Sequence, residues 1–468
     1  MTYIRFVFAL AFINCHILNA KTVFVSSTNG SDNNNGLSKE SPFFTISRAS
    51  IANADTILLF TDDTFYETVN VKGTYLSRYG SGKNPTICGL RKFDNGCWKE
   101  VAENIWKSSL STCCNNGFIV KGTSRLNNIG CFYEPDRDVL HGRRVQYYDE
   151  LEKNWDYWQT ENYSSDMDIS EFDVVYLYLE KDPNEYVLDC TVGAVGLVAD
   201  NATIDGVNVI GFGFGIVAGD KTIIRNCKID IIGGMILIGY SNFAPYGNGI
   251  EFNLSNTSKT DCVVENCMVS RTYDSGMTIQ ASKATNAIPQ NIVFKNNLLI
   301  NCCQGWEDYL LNPDNNVRFL DCVFENNIVL DSGYSGFGYP SNRVNYCGIL
   351  GYNSKGNKGM IIRNNLFIGG NYYCSSKFNT EYKSNFWENN RCFLEPGSYV
   401  LSNPSGTEDV IVVSKSNREN VKSINKYRLL TGDETTQFTI KKKKWIKKYI
   451  RKELKMFLKR NEKYFFSI

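Results

Sequence analysis

The sequence IIRNCKI at residues 223–229 recurs with small changes four times further along the chain. The later copies are VVENCMV at 263–269, VFKNNLL at 293–299, VFENNIV at 323–329 and IIRNNLF at 361–367, and a weaker copy is FWENN at 386–390. Each of the five has two apolar residues, a charged residue, asparagine, and then asparagine or cysteine. The first asparagine recurs after 40, 30, 30 and 38 residues, and repeats of this length are typical of solenoid proteins.

The repeat unit predicts a short strand, a corner and a second short strand. Such a unit cannot bury its apolar side alone, but it can when it is stacked on its neighbours. Asparagine suits the corner because it tolerates the left-handed backbone conformation, and stacked copies can form amide ladders along the axis. A helical solenoid is excluded because no window between residues 222 and 367 keeps a helical apolar period. The pattern resembles the Asn-rich repeat of right-handed parallel β-helix proteins, the pectate-lyase-like group. It predicts an all-β, single-stranded parallel β-helix.

The rest of the chain is arranged around this repeat. Residues 1–20 resemble a secretory signal cleaved after Ala20, which predicts a secreted, periplasmic or cell-surface protein. This stretch is too short to span a membrane, and Cys15 leaves lipidation as an alternative. We expect an N-terminal cap and first coils at 21–89, an inserted β-rich excursion at 90–195, the parallel β-helix at 196–400 and a linker at 401–440.

The tail at 441–468 has a different chemistry. It holds twelve Lys/Arg and two Asp/Glu, a net charge of +10, and because the whole chain carries +1, the remainder carries −9. Helical spacing places six apolar residues on one face with lysines opposite, which predicts a basic amphipathic helix: Ile446, Tyr449, Ile450, Leu454, Phe457 and Leu458. Such a helix is typical of a membrane-surface element, and the alternatives are a tail folded against the acidic body or a solvated end. Nucleic acid is not expected as a partner, because a secreted chain with an acidic body would not bind it.

The cysteines have no obvious metal-binding pattern. Sixteen cysteines include no CxxC pair, and His141 is the only histidine after the signal, so a zinc site is not predicted. Cys88 and Cys97 are a candidate disulfide. Those inside or beside the repeats are expected to be small buried hydrophobes: Cys227, Cys267, Cys302 and Cys322.

No cofactor is predicted, with calcium as an alternative. The segment GSDNNNG at 30–36 contains Asp32, whose carboxylate and neighbours suit either a calcium ion or a plain Asx turn. No other group of aspartates has the spacing of a calcium site.

The segments that follow three corners predict a polar outer face. They are GIEFN at 249–253, GMTIQ at 276–280 and GWEDY at 305–309. With the period of two of a strand, Ile250, Met277 and Trp306 face one way. The opposite, outward set is polar and suits a sugar chain: Glu251, Asn253, Thr278, Gln280, Glu307 and Tyr309.

Four motifs in this region carry a closer resemblance. YGNGIEF at 246–252, YDSG at 273–276, WEDY at 306–309 and GYSGFG at 333–338 resemble successive motifs of secreted carbohydrate-active β-helix proteins. The likeness covers roughly residues 200–400. It implies action on a polysaccharide, by a glycoside hydrolase or a polysaccharide lyase.

Glycoside hydrolysis requires two carboxyl groups, about 5 Å apart for retention of configuration and roughly 6.5–9.5 Å apart for inversion. Stacked strands repeat about every 4.8 Å, so carboxylates one or two coils apart meet either requirement. The candidates are Glu251, Asp274 and Glu307. We expect Glu307 to be the general acid, because Trp306 and Asp308 would raise its pKa by desolvation and like charge. Asp274, at a corner, or Glu251 would then be the base or nucleophile.

The position of Glu251 is left open by the sequence, because residues 234–237 (GMIL) compete for the same place in a 40-residue repeat. Further substrate-binding residues are expected on the same face and its flanking loops: Asn253, Gln280, Trp306, Asp308, Tyr309, Tyr339 and Arg343.

Two alternatives to hydrolysis remain. A lyase would require a base at the sugar C5 and a cation to neutralise a uronate; Arg271, Lys283, Lys295 and Arg343 are available, although Lys295 occupies a repeat position expected to be solvated. A non-catalytic glycan-binding or surface-assembly protein would use the same groove without chemistry.

Overall fold

The structure is a computed structural model that describes most of the chain between residues 20 and 465. The residues left out of the description are 1–19, 95, 109–118, 122–126, 130–131, 135–138, 142, 145–147, 164–169, 186–187, 192, 234, 237–244, 255–256, 282–284, 311–316, 333–346, 353–358, 371, 378–384, 403–410 and 466–468. The predicted signal sequence, including Cys15, therefore lies outside the described residues.

The repeats form a parallel β-helix, as predicted, whose coils stack three faces of parallel strands. The first face contains Thr22–Val25, Thr56–Phe60, Tyr75–Tyr79, Thr203–Asp205, Ile223–Arg225, Lys259–Glu265, Pro289–Lys295, Val323–Glu325, Ile361–Arg363 and Phe386–Glu388. The second contains Thr64–Phe65, Thr86–Cys88, the start of Asn208–Ala218, Lys228–Ile232, Met268–Thr272, Leu298–Ile300, Ile328–Leu330, Leu366–Ile368, Arg391–Leu394 and Gln437–Ile440.

The third face contains Val69–Lys72, Gly193–Asp200, the end of Asn208–Ala218, Ile250–Asn253, Ser275–Ala281, Gln304–Leu310, Cys347–Tyr352, Tyr372–Lys377 and Tyr399–Ser402, with Ile411–Val412 antiparallel at its edge.

The first asparagine of each repeat makes the corner between the first and second faces. In every copy, including the weak one, this asparagine has a left-handed backbone, with φ between 53° and 58°. Few side chains tolerate that conformation. The role predicted for this asparagine is confirmed at Asn226, Asn266, Asn296, Asn326, Asn364 and Asn389.

The second asparagine of the later repeats forms the predicted amide ladder. The Nδ2 of Asn297 donates to Oδ1 of Asn327 at 3.0 Å, and the backbone N–H of Asn297 donates to the same oxygen at 2.9 Å. The backbone N–H of Asn327 donates to Asn365, which in turn donates to Asn390. All four side chains are at most 1% exposed. The ladder therefore satisfies buried backbone groups at a corner where the strand pairing is interrupted.

The interior of the coil is apolar and continuous. Rings stack from coil to coil, with Trp306 centred 4.8 Å from Phe294 and 5.3 Å from Phe324. Cysteines fill smaller positions as predicted: Cys227, Cys267, Cys302 and Cys322 are free and fully buried. Burial raises the pKa of the Cys302 and Cys322 thiols to about 12, so they remain protonated hydrophobes. The predicted bond between Cys88 and Cys97 is wrong, because Cys97 is a free thiol.

The outer surface of the first face is a ladder of opposite charges. Arg225 pairs with Asp205 at 3.0 Å, Lys295 with Glu265 at 3.1 Å, and Arg363 with Glu325 at 2.7 Å. These residues occupy the charged position of each repeat. Lys295, which we expected to be solvated, therefore pairs with the preceding coil.

On the second face, the outer surface of the coils from Leu298 to Ile368 is apolar and is covered by the tail. Helix α3, defined here as Lys443–Arg460, buries Ile446, Ile450 and Phe457 against it. The strand residues that it covers are Leu298, Leu330, Leu366 and Ile368. The predicted basic amphipathic helix is thus present, and of the alternatives for it the tail folded against the body is the one that the structure shows, because its apolar side packs on the protein. Among the described helices, none is long and apolar enough to cross a bilayer.

The described residues contain three helices shorter than α3. Helix α1 (Ile46–Ser50) contributes Ile46 and Ala49 to the core at the N-terminal end, and α2 (Asn417–Thr431) contributes Tyr427 at the C-terminal end. Helix α4 (Glu462–Phe465) follows α3. Residues 401–440 do not behave as the linker we expected, because they include α2 and a strand, Gln437–Ile440, that pairs with Arg391–Leu394.

The excursion leaves the coil after Gly89 and returns at Gly193. It contains a sheet of Lys99–Ala102, Ile105–Ser108, Ser170–Tyr178, Asp156–Tyr163 and Arg143–Arg144, and a second of Leu90–Lys92, Leu188–Thr191, Ile119–Lys121 and Asn127–Ile129. A hairpin joins Phe132–Glu134 to Val139–His141, and 3-10 turns cover Tyr148–Glu150 and Pro183–Glu185. A second hairpin, Met235–Ile236 with Pro245–Tyr246, leaves the coil further on.

Candidate active site

Two glutamates and a threonine form one row on the outer side of the third face. Glu251 is in register with Thr278, and Thr278 with Glu307, on three consecutive strands. Their neighbours Ile250, Met277 and Trp306 point into the core. The predicted alternation is therefore confirmed, and the place of Glu251, which the sequence left open, is in this row.

A column of glycines immediately precedes the row. Gly215, Gly249, Gly276, Gly305 and Gly348 follow one another, and a Cβ on each of the first four would lie 2.3–3.0 Å from the carbonyl oxygen of the next. A side chain at these positions would also meet the core. Glycine is therefore required here for close approach of backbones, and it fixes the entry of each strand into the third face.

The third carboxylate, Asp274, lies at the corner just before the strand that begins at Ser275, as predicted. The carbonyl of Asp274 accepts from the backbone N–H of Gln304 at 3.2 Å and from the Thr272 hydroxyl at 2.9 Å. Asp274 is 5% exposed. Its charge contributes to the environment of Glu251, so the corner and the row belong to one site.

Hydrogen bonds connect the two glutamates through an asparagine and a serine. Asn248 donates from Nδ2 to Oε2 of Glu251 at 3.0 Å, and its Oδ1 accepts from the backbone N–H of Ser275 at 3.1 Å. The Ser275 hydroxyl donates to Oε2 of Glu307 at 2.6 Å. Asn253 donates to Oε1 of Glu251 at 3.0 Å. The carboxylates are thus held in fixed orientations across three coils.

The site is buried rather than solvated. Glu251 is 4% exposed and Glu307 is 3% exposed. Burial raises the pKa of Glu251, and the Asp274 carboxylate raises it further, against donated hydrogen bonds that lower it. A buried carboxylate with a raised pKa is typical of functional sites, and it is not what a solvated charge on a sheet would show.

Thr278 lies between the two glutamates with an unsatisfied hydroxyl. The residue is fully buried, and its Oγ1 has no hydrogen-bond partner among the described residues. Buried polar atoms are normally paired. The row therefore holds, between its two carboxylates, a hydroxyl able to bind a water molecule or a sugar hydroxyl.

The sequence misplaced two residues of the expected groove. Trp306 is fully buried in the core cluster, and Asp308, in register with the buried Ile279, is 0% exposed. Both point to the interior because neighbours in a strand alternate between faces. Neither is placed to contact a substrate on the outer face, and the expectation that they flank the Glu307 carboxylate is wrong.

The other expected binding residues fall into two groups. Asn253, Gln280 and Tyr309 are in register in a half-exposed row beside the glutamates, as predicted. Tyr339 and Arg343 lie outside the described residues, as does Lys283.

Arg271, a candidate cation for lyase chemistry, is engaged elsewhere. It pairs with Asp230, donating from Nε at 2.7 Å, and Lys228 reaches the same carboxylate at 3.0 Å. Burial would raise the pKa of Asp230, but the two cations outweigh it and hold that pKa well below its usual range. Lys295 pairs with Glu265 on the first face. Neither cation therefore faces the glutamate row.

Three polar residues of the site were not found by sequence reasoning: Asn248, Ser275 and Gln304. All three are at most 2% exposed. Each of them comes directly before one of the glycines of the column. The sequence signal that could have identified them is therefore the polar residue before glycine in the segments NGIE, SGMT and QGWE.

No metal site is found among the described residues, where no group of three His, Cys, Asp or Glu could hold an ion. The carboxylate of Asp32 instead accepts hydrogen bonds from the backbone N–H groups of Phe44 and Thr45, both at 2.9 Å. It therefore ties the GSDNNNG segment to the backbone at the start of α1, twelve and thirteen residues further along the chain.

A cavity of about 410 Å³ lies in the N-terminal coils. It lies at the corner between the second and third faces, where Asp274 lies in a later coil, and its lining includes Tyr66, Glu67, Arg91 and Phe212. Its volume is within the range of pockets that bind small ligands.

These features define a parallel β-helix protein with a buried carboxylate site on its third face. No family model matches the chain, and no curated protein matches it. Among solved structures, the chain is similar to that of XylC in complex with xylose, with 13% identity over 90% of this chain and 82% of that one and a TM-score of 0.40.

Two further structures are similar to this chain. One is a GH136 lacto-N-biosidase from Eubacterium ramulus, with 10% identity, coverage of 90% of this chain and 67% of that one, and a TM-score of 0.37. Another is an alginate lyase from Paenibacillus sp. str. FPU-7, with 11% identity, coverage of 82% and 91%, and a TM-score of 0.37. The similarity is one of fold and assigns no activity to this chain.

Proposed function

We propose that this protein is a secreted glycoside hydrolase that cleaves a polysaccharide with Glu251 and Glu307, assisted by Asp274. The observation that carries the proposal is the single row containing both glutamates, buried and two strands apart. Two strand spacings separate their backbones by about 9.6 Å. Carboxyl groups roughly 6.5–9.5 Å apart suit inversion, in which a water molecule attacks from the side opposite the leaving group.

The environments of the two glutamates favour different roles. Burial and the Asp274 charge raise the pKa of Glu251, which suits a general acid that must carry a proton at the working pH. Glu307 accepts a hydrogen bond from the Ser275 hydroxyl at 2.6 Å, which would hold its carboxylate in a fixed orientation as the general base. This assignment reverses the one expected from the sequence, where Glu307 was the acid. The orphaned hydroxyl of Thr278 supports it by offering a partner to the attacking water.

The test is turnover of a polysaccharide panel by the secreted protein and by Glu251→Gln and Glu307→Gln. Each variant is expected to lower kcat by about 10²–10⁴-fold, while Glu265→Gln on the first face keeps the parent's rate. Products of the first turnovers should show inverted anomeric configuration by NMR. Full activity in both site variants would refute the proposal.

The pH profile tests the role of Asp274. A general acid is active below its pKa, so a raised pKa of Glu251 extends activity toward alkaline pH. Asp274→Asn removes a negative charge, lowers the pKa of Glu251, and should shift the alkaline limb to lower pH. An unchanged limb would exclude Glu251 as the acid.

Elimination and binding alone give different results in the same panel. A lyase would release unsaturated uronates, which absorb in the ultraviolet, from an acidic glycan only. A binding protein would retain a glycan with no product in any reaction. Because Arg271 and Lys295 are already paired with Asp230 and Glu265, we place hydrolysis first.

A further inference from the structure

Helix α3 presents a line of cations that form no ion pair with the described carboxylates. Ten side chains on α3 and just before it are exposed, and none forms an ion pair with a described carboxylate. They form what we call the basic strip: Lys441, Lys442, Lys443, Lys444, Lys448, Arg451, Lys452, Lys455, Lys459 and Arg460.

The strip runs lengthwise along the coil. Near its start Tyr449 stacks at 5.1 Å from Phe393, in a C-terminal coil. Beyond its end the carbonyl of Lys463 accepts from Arg78, in an N-terminal coil, at 3.0 Å. An 18-residue helix is about 27 Å long, roughly five strand spacings. The cations are therefore displayed in a straight row across successive coils.

A membrane is a poor occupant for this strip. Amphipathic helices bind bilayers by burying their apolar side in the headgroup region, and here Ile446, Ile450 and Phe457 are 1%, 6% and 4% exposed because they pack on the second face. What α3 offers to a partner is charge, together with the half-exposed ring of Trp445.

We propose that the basic strip binds an acidic polysaccharide, at a site separate from the carboxylate row. A uronate chain carries regularly spaced negative charges along an extended polymer, which matches a straight row of cations. The rest of the chain carries −9 against +10 for residues 441–468, so the body repels a polyanion and confines it to the strip. The inference does not require the protein to be a hydrolase.

The test is affinity electrophoresis of the full chain through gels containing polygalacturonate or neutral dextran, over a series of salt concentrations. Polygalacturonate should retard the parent, less so as salt rises because exposed charges are screened, and dextran should not. K444Q/K448Q/K452Q/K455Q should bind about tenfold more weakly. Glutamine is close to lysine in helix propensity, so α3 should remain formed, which circular dichroism checks.

The matched control removes four exposed lysines elsewhere, K39Q/K83Q/K99Q/K181Q, with the same change in net charge. It should bind within about twofold of the parent. Equal weakening of the two quadruple variants, or retardation by dextran, would overturn the proposal. So would binding to vesicles containing acidic phospholipid with no retardation by polygalacturonate. Glu307→Gln should bind as the parent does, which separates this result from failure of the hydrolase proposal.

Discussion

Two adjacent asparagines, Asn326 and Asn327, should differ sharply when each is replaced by alanine. Asn326 is exposed and holds a left-handed corner with φ of 56°. Forcing alanine into that conformation costs about 1–2 kcal/mol. Asn327 is 1% exposed, and its side chain accepts from the backbone N–H of Asn297 and donates to the carbonyl of Phe294, both at 2.9 Å.

Removing the Asn327 side chain leaves those two buried backbone groups without this partner. Each unsatisfied buried group costs about 1–3 kcal/mol, so Asn327→Ala should lower the free energy of unfolding by about 2–6 kcal/mol. The Nδ2 of Asn297 keeps its other acceptor, the carbonyl of Val264 at 3.0 Å, and is left out of this sum.

Glycine substitutions distinguish backbone strain at position 326 from loss of the ladder hydrogen bonds at position 327. Asn326→Gly should be tolerated better than Asn326→Ala, because glycine adopts the left-handed conformation without strain. Asn327→Gly should be at least as damaging as Asn327→Ala, because the ladder bonds are lost in both.

Urea unfolding, followed by circular dichroism and by tryptophan fluorescence, measures all four variants. The two probes must coincide for a single free energy to be meaningful in a long repeat protein. If Asn327→Ala lowers the free energy of unfolding by under 1 kcal/mol, or if Asn327→Gly is clearly more stable than Asn327→Ala, the hydrogen bonds of the ladder do not stabilise the coil.

The other predictions concern packing, the tail and pH. Gly276→Ala should lower the free energy of unfolding by about 1–3 kcal/mol through overpacking, since its Cβ would lie 2.7 Å from a core leucine. Gly351→Ala, whose nearest contact would be 3.3 Å away, should cost less in the same urea titration. Equal costs would show that close packing at Gly276 is not the cause. Phe457→Ala should cost about 3–5 kcal/mol and make the tail the first site of cleavage in limited proteolysis, and unchanged protection would show that α3 docks without this ring. Asp230→Asn should cost about 1–3 kcal/mol at neutral pH, because the partly exposed Arg271 loses its ion pair. Because the pKa of Asp230 is depressed in the fold, the parent should lose this advantage as pH falls below the usual carboxyl range, and a pH-independent difference in thermal stability would contradict that.

The coil was predictable because its determinants are local and repeated. Asn296 and Asn326 occupy the same corner of successive units, and a left-handed residue that few side chains tolerate leaves a visible mark in the sequence. The outward direction of Glu251 and Glu307 followed from simple alternation. The placement of Trp306 and Asp308 in the groove failed for the same reason, since neighbours of an outward residue point inward.

Contacts between coils were harder to predict from the sequence. Nothing near Ser275 in the sequence indicates that its hydroxyl meets Glu307, and that contact depends on how far each strand slides against the next. The partner of α3 was equally hidden, because an amphipathic helix shows that it has an apolar side but not what covers it. Here the cover is a set of leucines and isoleucines drawn from several repeats, among them Leu298 and Ile368.

The docking of α3 also sets an order of events during synthesis. Every coil that it covers precedes it in the chain, so the ribosome completes the second face before its cover exists. Until residues 443–460 emerge, the apolar outer surface that contains Leu298, Leu330 and Leu366 is exposed to water and to other nascent chains. A protein stalled or cut at about residue 440 would keep its coils and its carboxylate row. It would expose the apolar outer surface of the second face, so we expect it to be recovered mainly as aggregate.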